Sequence, residues 1–228
     1  FAELGWTHNQ TEHIALCRGA ANVQEKDWGA IITWASNDPP YLESGEEMLQ
    51  DMNTAYYSGA KYLIVFNYPQ INPYGALTEE HFTAMKTFWN KIHTFPGNVL
   101  EKTGGQVALV LPKDYGWGMR DGNDNIWGFW PRDDLTPLIG EKIVVLLNKY
   151  GSKLDIIYDD PQFDYTEKYS KIYFWNSTII FSTVSCAVSS SSTTIGDSIT
   201  VSGSISPAAL ANVIIQISID NGTSLNDV

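Results

Sequence analysis

Every aromatic residue and every lysine and arginine of this 228-residue chain lies before Ser182. The 47 residues from Ser182 onward are rich in Ser, Thr, Ile and Val. A composition that changes this abruptly indicates separate modules rather than one uniform core. We therefore predict an aromatic-rich α/β body followed by a short β module, and we expect the functional residues in the body.

The charge balance narrows the classes of partner. The formal net charge is −12, and only 18% of residues are charged, against roughly 25% in ordinary domains. Such a chain is not expected to bind nucleic acid. No apolar run reaches the roughly 18 residues of a membrane span, so no direct membrane insertion is predicted. With 43% apolar residues the chain can bury a sizeable core.

The first hundred residues alternate predicted strands with predicted helices. The strands are Phe1–Trp6, Trp28–Trp34 and Lys61–Tyr68, and the helices run from about Thr11 to Lys26, Glu43 to Ser58 (capped by Gly59) and Thr78 to His93. The last two strands are continuous apolar runs, which are typical of strands buried on both faces. This order predicts a parallel sheet with right-handed crossovers. The sheet fits either the last three strands of a (β/α)8 barrel or half of an open sheet.

A second α/β unit is predicted after Gly104-Gly105. Its strand Gln106–Leu111 is followed by a long loop, Pro112–Asp134, a helix from Thr136 to Tyr150, and two strands, Lys153–Tyr158 and Lys171–Trp175. This order predicts a compact β-loop-α-β-β or Rossmann-like three-layer arrangement. No Gly-x-Gly-x-x-Gly follows its first strand, so neither dinucleotide binding nor any other cofactor is predicted.

The end of the chain reads as β structure. Ser198–Ser206 alternates polar and apolar residues, 207–212 contains a turn, and Val213–Ile219 is expected to return as the second strand of a hairpin. The module is shorter than the ~100 residues of an immunoglobulin-like sandwich. We expect a piece of a larger protein, with domains 1–100 (partial barrel), 101–181 (α/β) and 182–228 (truncated β-sandwich).

The loop Pro112–Asp134 carries the densest chemical signal. A loop this long is usually functional or disordered, and its aromatic content argues against disorder. Flat aromatic rings beside hydrogen-bonding side chains suit the apolar faces and hydroxyl groups of sugars. The predicted stacking residues are Trp117, Trp127 and Trp130, and the predicted hydroxyl partners are Arg120, Asp121 and Arg132. Alternatively, the tryptophans pack the loop against the first half of the body.

Further candidates lie at predicted strand ends, where barrel enzymes place their sites. Trp34, Asn67 and Tyr68 are predicted to contact the ligand, and Glu3 and Asp38 are the candidate catalytic carboxyl groups. Glu3 is alternatively solvated or bonded to a neighbouring strand. Asp38 precedes two prolines and is equally a turn residue.

The remaining reactive residue types predict no metal site. The four histidines lack metal-ligand spacing, and His81 and His93 are expected on a helix surface. Cys17 and Cys186 are expected to be ordinary buried thiols. Asn9, Asn176 and Asn221 each begin a glycosylation sequon, which fits an extracellular or cell-surface protein.

Two stretches carry a family resemblance. Trp28–Trp34, followed by Ala55–Pro69, resembles the closing strands of glycoside-hydrolase-like (β/α)8 barrels, and the next unit resembles the amidotransferase-like domain that follows the barrel in certain β-galactosidases. Residues 183–222 resemble immunoglobulin-like modules of secreted and surface proteins. The resemblance implies carbohydrate as partner and glycoside hydrolysis as activity. The family's nucleophile ends strand seven, where this chain has Trp34.

Two hypotheses from different classes follow. In the first, the chain is an extracellular carbohydrate-active protein that binds or hydrolyses a polysaccharide. In the second, it is a non-catalytic surface or filament protein that keeps an enzyme-like scaffold and assembles as a homo-oligomer through its β module. The absence of a glutamate at the end of strand seven favours the second hypothesis.

Overall fold

The computed structural model describes residues 1–4, 9–32, 42–67, 76–94, 104–119, 121–125 and 129–179, together with the strand segments 183–188, 201–206, 216–217 and 226–227. The described part is a mixed α/β structure with small parallel sheets. Contacts divide the chain into two compact units, Phe1–Ser177 and Thr178–Val228. Both α/β halves of the predicted body thus lie in one unit.

The first sheet alternates with helices along the chain. Its strands and the helices that follow them are β1 (Ala2–Glu3), α1 (Gln10–Val23), β2 (Gly29–Ile32), α2 (Gly45–Tyr57), β3 (Tyr62–Val65) and α3 (Glu79–Thr94). The strand order is β1-β2-β3, and both pairings are parallel. The predicted parallel sheet is confirmed.

Local sequence signals set the helix ends. The Asn9 side chain accepts hydrogen bonds from the backbone N–H groups of Thr11 and Glu12 and so caps α1. Ser44 and Glu47 form a reciprocal capping box at the start of α2. Gly59 follows the end of α2 with φ +95°, a conformation that favours glycine, so the cap predicted there is confirmed.

One face of the first sheet is less covered than the sequence predicts. Alternate residues of β3, Leu63 and Val65, pack against a core built from β2 and the three helices. Tyr62, Ile64 and Phe66 keep 47%, 43% and 38% of their surface exposed. The prediction that this strand is buried on both faces is therefore wrong. An apolar run indicates what a strand can bury, but only tertiary packing decides whether anything covers it.

The second sheet consists of β4 (Val107–Leu111), β5 (Leu154–Tyr158) and β6 (Lys171–Phe174), in the order β5-β4-β6. Both pairings are parallel, and α4 (Leu135–Tyr150) connects β4 to β5. All five residues of β4 are buried, as expected for the central strand.

Helix α1 packs against both sheets. Its residues Ile14 and Ala21 belong to the first core, whereas Val23 packs with Ala108 and Ile157 of the second sheet. The helix backbone at Gly19 lies so close to the main chain of β5 that any Cβ there would collide with it. A helix predicted for one half of the body thus completes the other half as well.

A buried polar network fixes α1 on β5. Arg18 Nε donates to Asp155 Oδ1 over 2.7 Å, and its Nη2 donates to the Leu154 carbonyl. The other carboxylate oxygen, Asp155 Oδ2, accepts from Asn22 Nδ2 and from the Tyr169 hydroxyl. Burial and the neighbouring Asp155 raise the pKa of Tyr169, which therefore stays a hydrogen-bond donor.

The second unit contains two antiparallel strand pairs in the part that the structure describes. β7 (Thr183–Val188) pairs with β8 (Val201–Ser206), and β9 (Gln216–Ile217) pairs with β10 (Asn226–Asp227). The predicted strand 198–206 contains β8, which pairs with β7 in the described residues, whereas most of its predicted partner, 213–219, lies outside them. Alternation within one strand does not identify its partner.

Candidate functional site

The loop that follows β4 is the candidate site, and its described residues are 112–119, 121–125 and 129–134. It begins at the C-terminal end of the central strand of a parallel sheet, where α/β proteins usually bind ligands. Its last residues are tied to α4, because Asp133 Oδ1 accepts from the Tyr115 hydroxyl and from the Thr136 backbone N–H, both over 2.9 Å. These bonds therefore connect the start of the loop to its end, and the end of the loop to α4.

Trp117 is the buried anchor of this loop, with 8% of its surface exposed. Its indole Nε1 donates to Glu12 Oε1 on α1 over 2.7 Å, and its backbone N–H donates to the Tyr158 hydroxyl at the end of β5. Gly140 of α4 approaches the edge of the ring. For Trp117 the structure thus matches the packing alternative, since a buried ring offers no stacking surface.

Glu12 is a buried acid in the first turn of α1, with 6% of its surface exposed. Burial raises its pKa to about 7, the hydrogen bond from Trp117 opposes that rise, and the charge of Asp121 adds to it. Burial also raises the pKa of Tyr158, which keeps its hydroxyl protonated. Carboxyl groups with pKa values near 7 exchange protons at ordinary pH, so Glu12 can gain or lose a proton in this range.

The aromatic part of the loop that faces solvent is Phe129 and Trp130, which are 80% and 60% exposed. Their ring centroids lie 5.9 Å apart in an edge-on arrangement. Two residues later, Arg132 donates through Nη1 to Asn123 Oδ1 over 3.2 Å, which joins the two ends of the loop. Exposed aromatic rings beside charged and amide groups can both stack and hydrogen-bond a ligand.

Asp121 is exposed and borders a groove of about 300 Å³ between the loop and α4. Its Oδ1 accepts from the Asn123 backbone N–H over 2.6 Å, which forms a local turn. Gly122 packs directly on Gly140, so the floor of the groove is backbone. Asp121, Trp130 and Arg132, three of the residues predicted as ligand contacts, are all exposed on this loop.

The described candidates on the first sheet, Glu3 and Asn67, contact other residues of the first hundred. Glu3 is an exposed residue of β1, and its backbone carbonyl contacts His13. Asn67 Oδ1 accepts from the Ala76 backbone N–H over 2.8 Å. Five predicted site residues lie outside the described residues: Trp34, Asp38, Tyr68, Arg120 and Trp127.

The two described sequons differ in their surroundings. Asn9 is exposed and caps α1, and Asn176 is exposed in a turn after β6. Asn221 lies outside the described residues. Both described sites are accessible at the surface.

The sequence did not single out a second acidic cluster, at the C-terminal end of the first sheet. Gln10 Nε2 donates to both carboxylate oxygens of Asp51 over 3.0 Å. Burial raises the pKa of Asp51, and hydrogen bonds from Gln10 and Glu43 oppose the rise. His81 is buried rather than at the surface as predicted, because its Nε2 donates to the Glu43 carbonyl over 2.7 Å.

Among the described residues, no group of three or more His, Cys, Asp or Glu side chains could hold a metal ion. Cys17 is a half-buried free thiol packed against the first core. Within the same described ranges, no helix is long and apolar enough to cross a membrane.

No protein family matches this chain. Comparisons with curated proteins and with solved structures also found no match. The function therefore has to be argued from the loop itself.

No local pattern in the sequence indicates the buried polar residues of this site. On α1, Arg18 and Asn22 are four residues apart, and Glu12 lies six residues before Arg18, so the three do not form one row along the helix. Polar residues on a helix usually face water. Here they contact β5 and the loop, and only tertiary packing decides that.

Proposed function

We propose that this chain binds carbohydrate through the loop that follows β4. The observation that carries the proposal is the exposure of Trp130 and Phe129 on the loop that also carries the exposed Arg132 and Asp121. Sugar rings present apolar C–H faces that match indole and phenyl rings, so these two exposed side chains offer a stacking surface. Arg132 and Asp121 supply a donor and an acceptor for hydroxyl groups.

The proposal includes a setting outside the cell. Carbohydrate polymers are abundant at cell surfaces, and the two exposed sequons at Asn9 and Asn176 fit a glycoprotein. Within this proposal the first sheet belongs to a (β/α)8 barrel and the second unit to an immunoglobulin-like module, as the resemblance implies.

Trp130→Ala tests the binding proposal, with Trp89→Ala as the matched control. Trp89 is 61% exposed on α3, against 60% for Trp130, so both substitutions remove an equally exposed indole. We expect Trp130→Ala to weaken retention on a panel of plant, bacterial and archaeal polysaccharides by about tenfold or more. We expect Trp89→Ala to bind like the wild type. Equal retention by all three proteins, or no retention on any polysaccharide, would refute the proposal.

In the catalytic version of this proposal, the chain also hydrolyses the carbohydrate, and Glu3 and Asp38 are the candidate catalytic carboxyl groups. Glycoside hydrolysis needs two carboxyl groups about 5 to 9.5 Å apart. Glu3 is supported by its exposure at the end of a parallel strand. Reducing-end release by the wild type and its loss in Glu3→Gln would support this form. Release that survives the substitution would remove Glu3 from the mechanism.

The burial of Trp117 favours the second candidate function, a non-catalytic surface or filament protein. A tryptophan that packs inside the protein stabilises the fold and offers no surface to a ligand. Light scattering and negative-stain microscopy of the purified chain test this alternative. Concentration-dependent filaments would support it, and a monomer at all concentrations would count against it.

A further inference from the structure

We propose that Glu12 is a proton-controlled latch for the loop that follows β4. With Glu12 protonated, the loop is held against α1 through Trp117, and ionisation of Glu12 favours release of the loop. Glu12 is thus a positioning residue that acts through Trp117 on the surface that carries Trp130 and Arg132.

The contact between Glu12 and Trp117 is a buried hydrogen bond that joins α1 to the loop. Glu12 Oε1 and the indole Nε1 of Trp117 are 2.7 Å apart, and both side chains are at least nine-tenths buried. The two residues are 105 positions apart in sequence, so the bond joins separate elements. Trp117 also reaches β5 through its backbone N–H on Tyr158, so this one residue ties the loop to two elements, and opening the Glu12 contact removes its tie to α1.

The charges around Glu12 determine the direction of the response. From the loop, Asp121 repels an ionised Glu12. From β5, Tyr158 stays neutral because burial raises its pKa, and α4 brings the uncharged Gly140 close to the Trp117 ring. On α1 itself, Arg18 is committed to Asp155. No described cation is thus placed to compensate a negative Glu12 at this contact.

The pKa of Glu12 supports the same direction. Its pKa is raised from an ordinary 4.5 to about 7 when the loop is closed, chiefly by burial. A released, hydrated Glu12 would return toward the ordinary value. The closed form therefore binds the proton more tightly, and above pH 7 the open form gains by up to about 300-fold relative to its population below pH 4.5.

The consequence for ligand binding rests on the proposed function. If the loop binds carbohydrate, its affinity should decrease as pH rises through about 7, because the binding residues lose their fixed position. The pH response of the Glu12–Trp117 contact does not require a ligand, so the two proposals can be tested separately.

The exchange of the Trp117 indole N–H with solvent is the direct measurement, recorded by NMR between pH 5.5 and 8.5. Glu12→Gln is the matched variant, because glutamine keeps an oxygen that accepts from the indole but has no charge to gain. We expect the ratio of wild-type to variant exchange rates to rise by about tenfold or more across this range. The indole of Trp28, which is buried to 6% exposure in the first core, is the internal control and should keep a constant ratio.

Asp121→Asn provides a second test that leaves Glu12 in place. Removing the repelling charge should move the midpoint of the Trp117 response to lower pH. This test stands even if Glu12→Gln does not fold, since Trp117 and Trp28 are then compared within the same protein. A Trp117 ratio that does not change with pH overturns the latch. If Trp117 exchange responds to pH but no polysaccharide is retained, the latch is supported and the proposed function is refuted. If polysaccharide is retained but Trp117 exchange does not respond to pH, the proposed function is supported and the latch is refuted.

Discussion

Arg18 and Asp155 form a buried ion pair across 137 positions of sequence, with Arg18 Nε and Asp155 Oδ1 2.7 Å apart and side-chain exposures of 2% and 0%. The pair joins α1, which follows the first strand of one sheet, to β5 of the other sheet. Because Asp155 also accepts from Asn22 and Tyr169, its charge is compensated by a complete set of donors. The two predicted halves of the body are thus one packed structure.

Breaking this pair should be severely destabilising. Arg18→Ala leaves Asp155 buried without its cation, and we expect the free energy of unfolding to decrease by about 3–5 kcal/mol. Urea denaturation measures the change. The control is Lys61→Ala, which removes the exposed Lys61–Asp27 pair and should leave the midpoint almost unchanged. Similar losses for both variants would show that the buried network does not hold α1 on β5.

Gly19→Ala should destabilise the protein, although alanine is normally the better helix former by about 1 kcal/mol. A Cβ at position 19 would collide with the Ile156 carbonyl, which is rigid backbone. We expect a decrease of about 2 kcal/mol or more in the free energy of unfolding, by analogy with overpacked cores. Gly116→Ala is the control, since a Cβ there meets nothing within 4 Å. A neutral Gly19→Ala would mean that α1 can move away from β5.

Glu12→Gln should change how stability depends on pH. The pKa of Glu12 is raised from 4.5 to about 7 on folding, so folding binds a proton between these values. Its contribution is most favourable below pH 4.5 and is lost as pH rises to about 7, on the order of 3 kcal/mol in total. We expect the stability of Glu12→Gln relative to the wild type to increase from pH 5 to pH 8 in urea titrations. A constant difference would contradict the burial of an ionisable Glu12.

Ser44→Ala should remove the capping box of α2. The Ser44 side chain accepts from the Glu47 backbone N–H, and the Glu47 carboxylate accepts from the Ser44 backbone N–H over 2.8 Å. We expect a loss of about 1 kcal/mol in the free energy of unfolding. These backbone and side-chain hydrogen bonds from Ser44 also lower the pKa of Glu47, so the stabilisation by Glu47 should fade as pH falls into the acid range. Thr83→Ala on α3 is the exposed control, and equal effects of the two substitutions would count against the cap.

Part of the candidate site was visible in the sequence. The density of tryptophan, arginine and aspartate in one long connection identified the loop after β4, and the structure leaves Asp121, Trp130 and Arg132 exposed there. The role of Glu12 was not visible. An acid in the first turn of a helix normally interacts with the helix dipole, and only the approach of Trp117 buries this one.

By itself, the amino-acid sequence determined the order of strands and helices, the cap at Gly59, and the parallel pairing of the first sheet. These depend on local hydrogen bonding and on the alternation of elements along the chain. Tertiary structure alone decided that α1 serves both sheets, that β3 leaves one face exposed, and that Arg18, Glu12 and His81 are buried. The reason is physical: a charged or apolar side chain carries the same local signal whether solvent or a distant segment covers it, and burial depends on contacts between residues far apart in sequence.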